Sequence, residues 1–460
     1  FAFYGCTGLT TVNIPNSVTS IGSASFFLCS GLTTMTIPGS VTSIGGQAFA
    51  GCSSLMYIDI DSASQNYSSI DGVMFNKNQT LLIQYPVGKK GAYIIPNSVT
   101  SIYGPWTFQG SSGLTSVFIP SSVTQLGPAF TGCIGLIQIN IDDANPNYSS
   151  IDGVMFNKNQ TKIIQYPGGR PGAYIIPSNV TSIGDYAFDG CVGLTSVTLQ
   201  GSITSIGQYA FSGCTGLTSA TILNGLTSIG NYMFYGCTGL TTVTIPNSVI
   251  RIGDDAFDNC TALTSVIIPN SVIYIERQVF LNCSNLSSVT IPDSVISIGP
   301  SAFRNTGLIS VTIPASVTSI GELAFTECTK LSHLEVDSEN QNYSSQDGVL
   351  FDKNRSKLVM YPAGKRGAYV IPNSVQGIGV YAFAGCVGLT MVEIPDNVTN
   401  IGQYAFRDTG LISVTIPSSV TIIEIGMFYG CTSLSSVTIP DSVTSIGTHT
   451  FGHCSALTIY

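Results

Sequence analysis

The sequence predicts a β-rich solenoid, and three observations lead to that fold class. A leucine recurs along the chain at an interval of 22 or 23 residues in most places. The apolar residues that follow it alternate as they do in a short strand. Only 9% of the 460 residues are charged, whereas 44% are hydrophobic. A fixed period of this length indicates stacked coils rather than several globular domains.

Sixteen leucines open the repeated units. Three of the intervals between them are longer, at 58 or 59 residues. The positions are Leu9, Leu32, Leu55, Leu114, Leu136, Leu194, Leu217, Leu240, Leu263, Leu286, Leu308, Leu331, Leu389, Leu411, Leu434 and Leu457. A single unit of this size cannot bury its own apolar face, so the units must stack. The sequence therefore predicts about 16 coils of 22 to 23 residues.

The unit at 240–260 shows how one coil is built. The spacing L-x-x-V-x-I from Leu240 to Ile245 predicts a short strand, and Pro246 ends its hydrogen-bond ladder. A V-x-x-I pair then predicts a second extended piece. We expect Ala256 and Phe257 on a tight turn, with one turn of helix, before the next leucine.

The full pattern, L-x-x-V-x-I-P-x-x-V-x-x-I-G-x-x-A-F-x-G-C, resembles the BspA-like leucine-rich repeat family over essentially the whole chain. The resemblance implies a right-handed curved superhelix with parallel strands on its concave face. It also implies a cell-surface or secreted protein that acts in adhesion and binds protein or glycan partners. We expect a single solenoid over 1–460, and because both ends lie inside repeats, a fragment of a longer protein.

All thirteen cysteines lie three residues before a repeat leucine. They are Cys6, Cys29, Cys52, Cys133, Cys191, Cys214, Cys237, Cys260, Cys283, Cys328, Cys386, Cys431 and Cys454. The remaining units have Ser111, Asn305 and Asp408 at that position. Because the number is odd and each cysteine has the same place in its coil, we expect one column of buried free thiols. Disulfides are the alternative for a secreted protein.

Each long interval contains an extra segment, near 61–92, 142–173 and 337–368. In all three, an aspartate replaces the proline that normally follows the first strand. The motif N-Y-S-S, a D-G pair and a β-hairpin pattern come next. The chain rejoins the repeat at Tyr93 and Ile95, which are expected to point inward, and at their counterparts. The sequence therefore predicts three β-hairpin insertions.

The insertions hold 11 of the 16 basic residues. Those residues are Lys77, Lys89, Lys90, Lys158, Lys162, Arg170, Lys353, Arg355, Lys357, Lys365 and Arg366. One interpretation is that protruding hairpins need charge for solubility. The other is that cations and tyrosines on loops of a rigid scaffold contact a partner.

Outward positions of the first strand also change beside the insertions. Ordinary units have Thr or Ser there, as at Thr242 and Thr244. The substituted positions that we predict as partner-binding are Tyr57, Asp59, Gln138, Asn140, His333 and Glu335. The alternative is that these side chains simply pack against the hairpins.

Three smaller patterns also resemble binding or modification sites. The run Asp143, Asn145 and Asn147 resembles the start of a calcium loop, but the glycine and glutamate that complete such a loop are missing. His449 and His453 have a metal-ligand spacing within an ordinary repeat. Glycosylation sequons occur in each insertion, at Asn66, Asn78, Asn147, Asn159, Asn342 and Asn354.

Motifs for catalysis, cofactors and metal ions are absent from the sequence, so we expect no enzymatic activity, no cofactor and no metal site. A net charge of −9 disfavours nucleic acid as a partner. Apolar runs are too short to cross a bilayer, which argues against membrane insertion of this segment.

The sequence favours a non-enzymatic adhesion or interaction scaffold that binds protein or glycan ligands, with self-association possible. The alternative is a structural or filament-forming solenoid, or a water-ordering surface. Ser-Val-Thr and Thr-Val-Thr triplets in register, at 196–198, 242–244, 288–290, 310–312, 413–415 and 436–438, motivate that alternative.

Overall fold

The computed structural model describes residues 1–104 and 106–458 of the chain. It contains two compact units, Phe1–Gly225 and Leu226–Tyr460. Both units are β-solenoids, with about 19 turns in all, and the strands of neighbouring turns pair in parallel. The predicted β-rich solenoid with parallel strands is confirmed.

Most turns of the first unit carry a first strand and a second strand. The first strands are β2 (Thr34–Ile37), β4 (Tyr57–Ile60), β8 (Gly91–Ile94), β10 (Leu114–Ile119), β11 (Gln138–Ile141), β15 (Gly172–Ile175), β17 (Leu194–Leu199) and β19 (Ser219–Ile222). The second strands are β1 (Ser20–Ile21), β3 (Ser43–Ile44), β7 (Leu81–Gln84), β9 (Ser101–Ile102), β14 (Lys162–Gln165), β16 (Ser182–Ile183) and β18 (Ser205–Ile206). Two hairpins project from this unit, β5 (Tyr67–Ile70) with β6 (Val73–Asn76) and β12 (Tyr148–Ile151) with β13 (Val154–Asn157).

The second unit repeats this arrangement. Its first strands are β21 (Thr242–Thr244), β23 (Ser265–Ile267), β25 (Ser288–Thr290), β27 (Ser310–Ile313), β29 (His333–Val336), β33 (Gly367–Val370), β35 (Leu389–Glu393), β37 (Ser413–Thr415) and β39 (Ser436–Thr438). Its second strands are β20 (Ser228–Ile229), β22 (Arg251–Ile252), β24 (Tyr274–Ile275), β26 (Ser297–Ile298), β28 (Ser319–Ile320), β32 (Lys357–Met360), β34 (Gly377–Ile378), β36 (Asn400–Ile401), β38 (Ile422–Ile423) and β40 (Ser445–Ile446). The third hairpin consists of β30 (Tyr343–Gln346) and β31 (Val349–Asp352).

The core runs along the inside of the turns, where the repeat residues point. In the turn that starts at Leu240, the side chains of Leu240, Val249 and Phe257 are fully buried. The phenylalanine rings form a stacked column, with the centroid of Phe257 5.4 Å from that of Phe280. Aromatic stacking adds to the free energy gained by burying each ring. The apolar positions of the repeat therefore form the core.

The Ala-Phe segment consists of β-turns, so the prediction of a helical turn is wrong. Asp255 and Asn259, on either side of Ala256 and Phe257, have φ angles of 54° and 61°. A residue in this left-handed region cannot continue a right-handed helix. The backbone N–H groups of Asp255, Phe257 and Asn259 instead donate to Arg277, Val279 and Leu281 of the next turn, at 3.0, 2.9 and 2.9 Å. The segment thus supplies a third set of hydrogen bonds between turns.

Each insertion adds a complete turn, which raises the predicted 16 coils to about 19. In the first insertion, β7 takes the place of a second strand and pairs in parallel with β9. Tyr85 then occupies the phenylalanine position, with its ring centroid 5.1 Å from that of Phe108. Strand β8 follows as a first strand, parallel to β10. Spacing between leucines could not reveal this turn because no leucine opens it.

The cysteines form the predicted column of free thiols, and all except Cys6 and Cys454 are buried. Their thiols also make hydrogen bonds that the sequence did not predict. Cys260 Sγ donates to the carbonyl of Phe234 at 3.2 Å, and Cys283 Sγ to that of Phe257 at 3.1 Å. The column therefore suits a small residue that can both pack and donate.

Two residues that we predicted for the cysteine column, Asn305 and Asp408, lie one residue before the position that the column actually uses. Thr306 and Thr409, rather than Asn305 and Asp408, are buried beside the cysteines. The Oγ1 of Thr306 donates to the carbonyl of Phe303 at 2.9 Å and lies 3.1 Å from Cys328 Sγ. These turns are one residue shorter between phenylalanine and leucine, so counting back from the leucine shifts the position. Asn305 and Asp408 occupy left-handed positions instead, with φ angles of 56° and 53°.

Asp258 is a buried carboxyl group in the second unit. Burial, and then the charge of Asp255, raise its pKa to about 6, although hydrogen bonds from Asn282 and Asn259 act in the opposite direction. Asp255 itself pairs with Arg277, at 2.7 Å between carboxylate and guanidinium. The folded state therefore favours the protonated form of Asp258 relative to the unfolded chain.

We expect Thr306→Val to lower the free energy of unfolding by about 1 kcal/mol, because the change removes a buried hydroxyl from two partners. Asn305→Gly serves as the matched control and should be nearly neutral, since glycine adopts the left-handed conformation without strain. Urea denaturation followed by circular dichroism measures both variants. A larger loss in Asn305→Gly than in Thr306→Val would contradict the assignment.

Asp258 should make the second unit more stable as the pH falls from above 6 towards 4. A carboxyl group whose pKa is higher in the folded state binds a proton on folding, so stability is gained below about pH 6 and lost above it. Asp258→Asn should remove this part of the pH dependence and should not destabilise the protein at pH 7.5. Thermal unfolding of both proteins between pH 4 and 8 tests this, and parallel profiles would count against it.

Candidate interaction surface

The hairpins interrupt the ladder of first strands. In the first unit, β4 pairs with β2, and the next sheet begins at β8, which pairs with β10. Beside β4, the N–H of Ile58 donates to the carbonyl of Gly72 at the hairpin tip, at 2.9 Å. The same contact joins Ile139 to Gly153 and Leu334 to Gly348, each at 2.9 Å. The tip of each hairpin thus occupies the place of a neighbouring strand.

The tip is a tight turn made by the D-G pair. Asp71 and Gly72 have φ angles of 50° and 77°, as a type I′ hairpin turn requires. A Cβ atom at Gly72 would lie 2.6 Å from the ring of Tyr57, so glycine is also required sterically. Because the tip contacts Tyr57 so closely, the outward strand position and the hairpin form one surface.

A cation from the following turn holds each tip in place. Lys89 Nζ donates to the carbonyl of Asp71 at 2.6 Å and lies 4.9 Å from the centroid of the Tyr57 ring. Lys365 Nζ donates to the carbonyl of Asp347 at 2.8 Å. Arg170 donates to the carbonyl of Asp152. These three predicted partner-binding cations therefore have a structural role within the hairpin.

A second set of cations binds the other end of each hairpin. Lys77, Lys158 and Lys353 donate to the carbonyls of Ser62, Asp143 and Ser338, at 3.4, 2.9 and 3.2 Å. Of the remaining predicted cations, Lys90, Lys162, Arg355 and Arg366 are exposed. Arg355 donates to Gln346 Oε1 at 3.0 Å. Nine acidic residues lie within the same three insertions, so the hairpins concentrate both signs of charge.

The N-Y-S-S motif attaches the hairpin to the solenoid. Tyr67 Oη accepts a hydrogen bond from the N–H of Ile44 at 3.0 Å. Ser69 Oγ accepts one from the N–H of Ile60 at 3.2 Å, and so satisfies the edge of β4. The second and third insertions repeat these contacts at Tyr148 and Ser150 and at Tyr343 and Ser345. The motif is therefore structural.

Buried asparagines complete this attachment in two insertions. Asn340 Nδ2 donates to the carbonyls of Pro314 and Val317 at 2.8 and 3.0 Å. Its Oδ1 accepts from the N–H groups of Asn342 and Tyr343, both at 2.8 Å.

Asn145 makes the equivalent four bonds in the second insertion. Its amide oxygen is thus already used by the protein, which disfavours the calcium-loop interpretation of Asp143, Asn145 and Asn147.

The predicted outward residues lie on this surface. Tyr57 is 46% exposed, and Asp59, Gln138, His333 and Glu335 are exposed as well, whereas Asn140 is half-buried. Their local partners differ: Gln138 Nε2 lies 2.8 Å from Asn140 Oδ1, Ser332 Oγ lies 2.8 Å from His333 Nδ1, and Ser345 Oγ lies 3.5 Å from Glu335 Oε2. The three hairpins therefore make the same contacts with the solenoid, but the outward side chains beside them differ from one insertion to the next.

Three exposed aliphatic residues belong to the same surface and were not predicted. Ile94, Ile175 and Val370 are 72%, 65% and 61% exposed in the first strand that follows each hairpin. The alternation that points Tyr93 and Ile95 inward also points Ile94 outward, so the sequence contained this signal. We define the hairpin face of each insertion as the outward residues of its flanking first strands: 57, 59 and 94 in the first, 138, 140 and 175 in the second, and 333, 335 and 370 in the third.

The comparison with protein families covers nearly all of the chain. The profile of the BspA type leucine rich repeat region, with six copies, matches residues 1–88, 91–169, 173–272, 250–351 and 367–460. This protein belongs to the BspA-type leucine-rich repeat family. The resemblance drawn from the repeat pattern is thereby confirmed.

Solved structures of leucine-rich repeat proteins are similar to this BspA-type chain. A leucine-rich cell surface protein from Faecalibacterium prausnitzii A2-165 is 33% identical, with a TM-score of 0.58, over 68% of this chain and 94% of its own. A leucine-rich repeat protein from Bacteroides ovatus ATCC 8483 is 28% identical, with a TM-score of 0.48, over 85% of this chain and 91% of its own. Among curated proteins, none matches the chain.

Membrane-spanning helices and metal-binding clusters are not found among the described residues of this BspA-type protein. Over residues 1–104 and 106–458, no helix has the length and apolar character needed to span a membrane. Within the same ranges, no cluster of His, Cys, Asp and Glu has the arrangement of a metal site.

Replacing Asn340 with leucine should detach the third hairpin. The change leaves two backbone N–H groups and two carbonyls without their partner, at an expected cost of about 2 to 4 kcal/mol. Amide hydrogen exchange over residues 337–353 should accelerate. Asn342→Ser, at an exposed position of the same segment, is the control and should leave exchange unchanged. Equal exchange in the wild type and Asn340→Leu would show that the amide is dispensable.

Proposed function

We propose that this BspA-type protein is a cell-surface or secreted scaffold that binds protein partners through its hairpin face. The observation that carries the proposal is the contrast between the constant and the variable parts of the three insertions. The residues that all three insertions share make contacts inside the protein, whereas the residues that differ between the insertions point outward. Because a partner can touch only what is exposed, the differing residues are the ones available for recognition.

The composition of the hairpin face suits a protein partner. The first strands that flank the hairpins combine exposed aliphatic side chains with an aromatic ring at Tyr57 and with polar or charged groups at Gln138, His333 and Glu335. Protein interfaces combine apolar and aromatic contact area with hydrogen-bonding groups in this way. Most ordinary turns offer Ser and Thr at these positions, although Ile267 of β23 is 81% exposed. The aromatic, amide and charged residues at 57, 138, 333 and 335 therefore distinguish the hairpin face better than its aliphatic residues do.

The rigid attachment of the hairpins supports recognition. Each tip is fixed by backbone contacts to its first strand and by a cation from the following turn. A preorganised surface loses little conformational entropy when it binds. Two such sites lie in the first unit and one in the second, so that binding of a multivalent partner would gain from each additional contact. The cell-surface description of the Faecalibacterium protein is consistent with an extracellular partner.

The proposal is tested by giving each hairpin the side chains of an ordinary turn. The variants are Tyr57→Thr with Asp59→Thr, Gln138→Thr with Asn140→Thr, and His333→Ser with Glu335→Thr. Surface plasmon resonance against immobilised collagen, fibronectin and laminin measures binding of the full chain. We expect at least one pair of changes to weaken saturable binding about tenfold or more, as a central interface residue does.

Thr242→Ala with Thr244→Ala, on the outward face of the ordinary strand β21, is the matched control and should bind as the wild type does. Unchanged affinity in all three hairpin variants would refute the hairpin face as the binding surface. Loss of binding only after the immobilised proteins are deglycosylated would identify glycans, rather than polypeptide, as the ligand.

A further inference from the structure

The third insertion opens a cleft on the side of the second strands. Strand β28 ends one sheet, and β32 belongs to the next, with β30 and β31 of the hairpin between them. The column of rings is interrupted at the same level: Phe325 stacks on Phe303 at 5.3 Å, and Tyr361 starts a new run on Phe383 at 5.1 Å. The two turns therefore do not stack directly, and a space remains between them.

This cleft has a volume of about 150 Å³. Its apolar wall includes Leu323, Val359, Met360 and Val380, and Tyr381 borders it. Pockets for drug-sized ligands have volumes of roughly 300 to 1,000 Å³, so this one suits a much smaller molecule. The size and the aliphatic lining point to a ligand that carries one short apolar side chain.

Two residues of opposite charge line the cleft. Glu322 comes from the turn after β28, and Lys357 from the start of β32. The Lys357 Cε atom lies 3.5 Å from the position that a Cβ at Gly379 would take, so its side chain crosses the cleft wall at that glycine. Over residues 1–104 and 106–458, the ion pairs involve neither Glu322 nor Lys357. A carboxylate and an ammonium group are thus both available to a ligand.

Tyr381 lines the same cleft as Glu322. Burial raises the pKa of Tyr381, and the neighbouring Tyr404 and the charge of Glu322 raise it further, while Arg407 and Arg304 lower it. The phenol is therefore neutral near pH 7 and can donate a hydrogen bond. Glu322 and Tyr381 belong to different turns, and the hairpin between those turns places them on one cleft.

We propose that this cleft binds a free α-amino acid with an aliphatic side chain. The ammonium group of the ligand would pair with Glu322, its carboxylate with Lys357, and its side chain would contact Leu323, Val359 and Val380. Charge-assisted hydrogen bonds at both ends require a zwitterion, and the apolar wall requires a hydrocarbon side chain. This site is independent of the hairpin face and lies on a different side of the turns.

The corresponding space at the first insertion is smaller and has no charged lining residue, so we expect no amino acid to bind there. It measures only about 20 Å³ and is lined by Gln47, Met74, Tyr103 and Trp106. Larger side chains fill it, and its lining carries no charged group. The insertion thus creates the space, and the individual side chains decide whether a ligand fits.

Isothermal titration calorimetry of the full chain with L-leucine tests the proposal. We expect saturable binding at millimolar concentrations, with at least fivefold weaker binding for leucinamide, which lacks the carboxylate, and for N-acetyl-leucine, which lacks the ammonium group. Glu322→Gln and Lys357→Met should each weaken leucine binding by a similar factor. Both residues are exposed, so circular dichroism should show an unchanged fold.

Lys162→Met is the matched control, because Lys162 begins the equivalent strand of the second insertion. It should not change the affinity for leucine. Absence of saturable heat with leucine would overturn the proposal. Equal binding of leucine, leucinamide and N-acetyl-leucine would overturn the zwitterion assignment, and unchanged affinity in both cleft variants would show that binding occurs elsewhere.

Discussion

The hydrogen bonds between successive turns are the interaction on which the rest of this structure depends. Between insertions, successive turns are joined by three ladders of hydrogen bonds, which lie at the first strand, the second strand and the Ala-Phe segment. Backbone groups that are buried must find such partners. The left-handed residues on either side of Ala-Phe turn alternate N–H groups towards the next turn, which is why a helix, whose hydrogen bonds close within itself, does not form there. Thiols of the cysteine column add bonds to the preceding turn, as Cys260 Sγ does to the carbonyl of Phe234.

The hairpins follow from the same constraint. Where a ladder is interrupted, the exposed strand edge must be satisfied by something else. The insertion supplies a glycine carbonyl and a serine hydroxyl at the edge of the first strand, and a tyrosine hydroxyl at the edge of the second strand. Most of the polar residues that make the insertions conspicuous in the sequence serve this purpose. The surface left for a partner is smaller than the charge and aromatic content of the insertions suggest. It consists of the outward side chains of the flanking first strands and of the spaces that the insertions open between turns.

The solenoid could be predicted because its information is local and repeated. The spacing of Leu240, Val243 and Ile245 gives a strand whatever surrounds it, and the recurrence of that spacing requires stacking. Tyr57 and Gln138 could be placed on the outward face by alternation alone. The role of Lys89 could not be predicted, because its partner at Asp71 is fixed by a hairpin whose tip position depends on contacts with β4. Thr306 was misplaced because the position was counted back from the leucine; counted forward from the phenylalanine, Thr306 has the same spacing as Cys260.

By itself, the sequence determined the repeat period, the inward residues, the thiol column and the three places where the repeat is interrupted. Each of these depends on residues within one turn, and the same pattern recurs often enough to be read directly. Only the tertiary structure decided which cations are used inside the hairpins, that Ile94, Ile175 and Val370 stand beside them, and that Glu322 and Lys357 border one cleft. Those arrangements join residues of different turns across an insertion, and their geometry is set by how far the hairpin separates the turns.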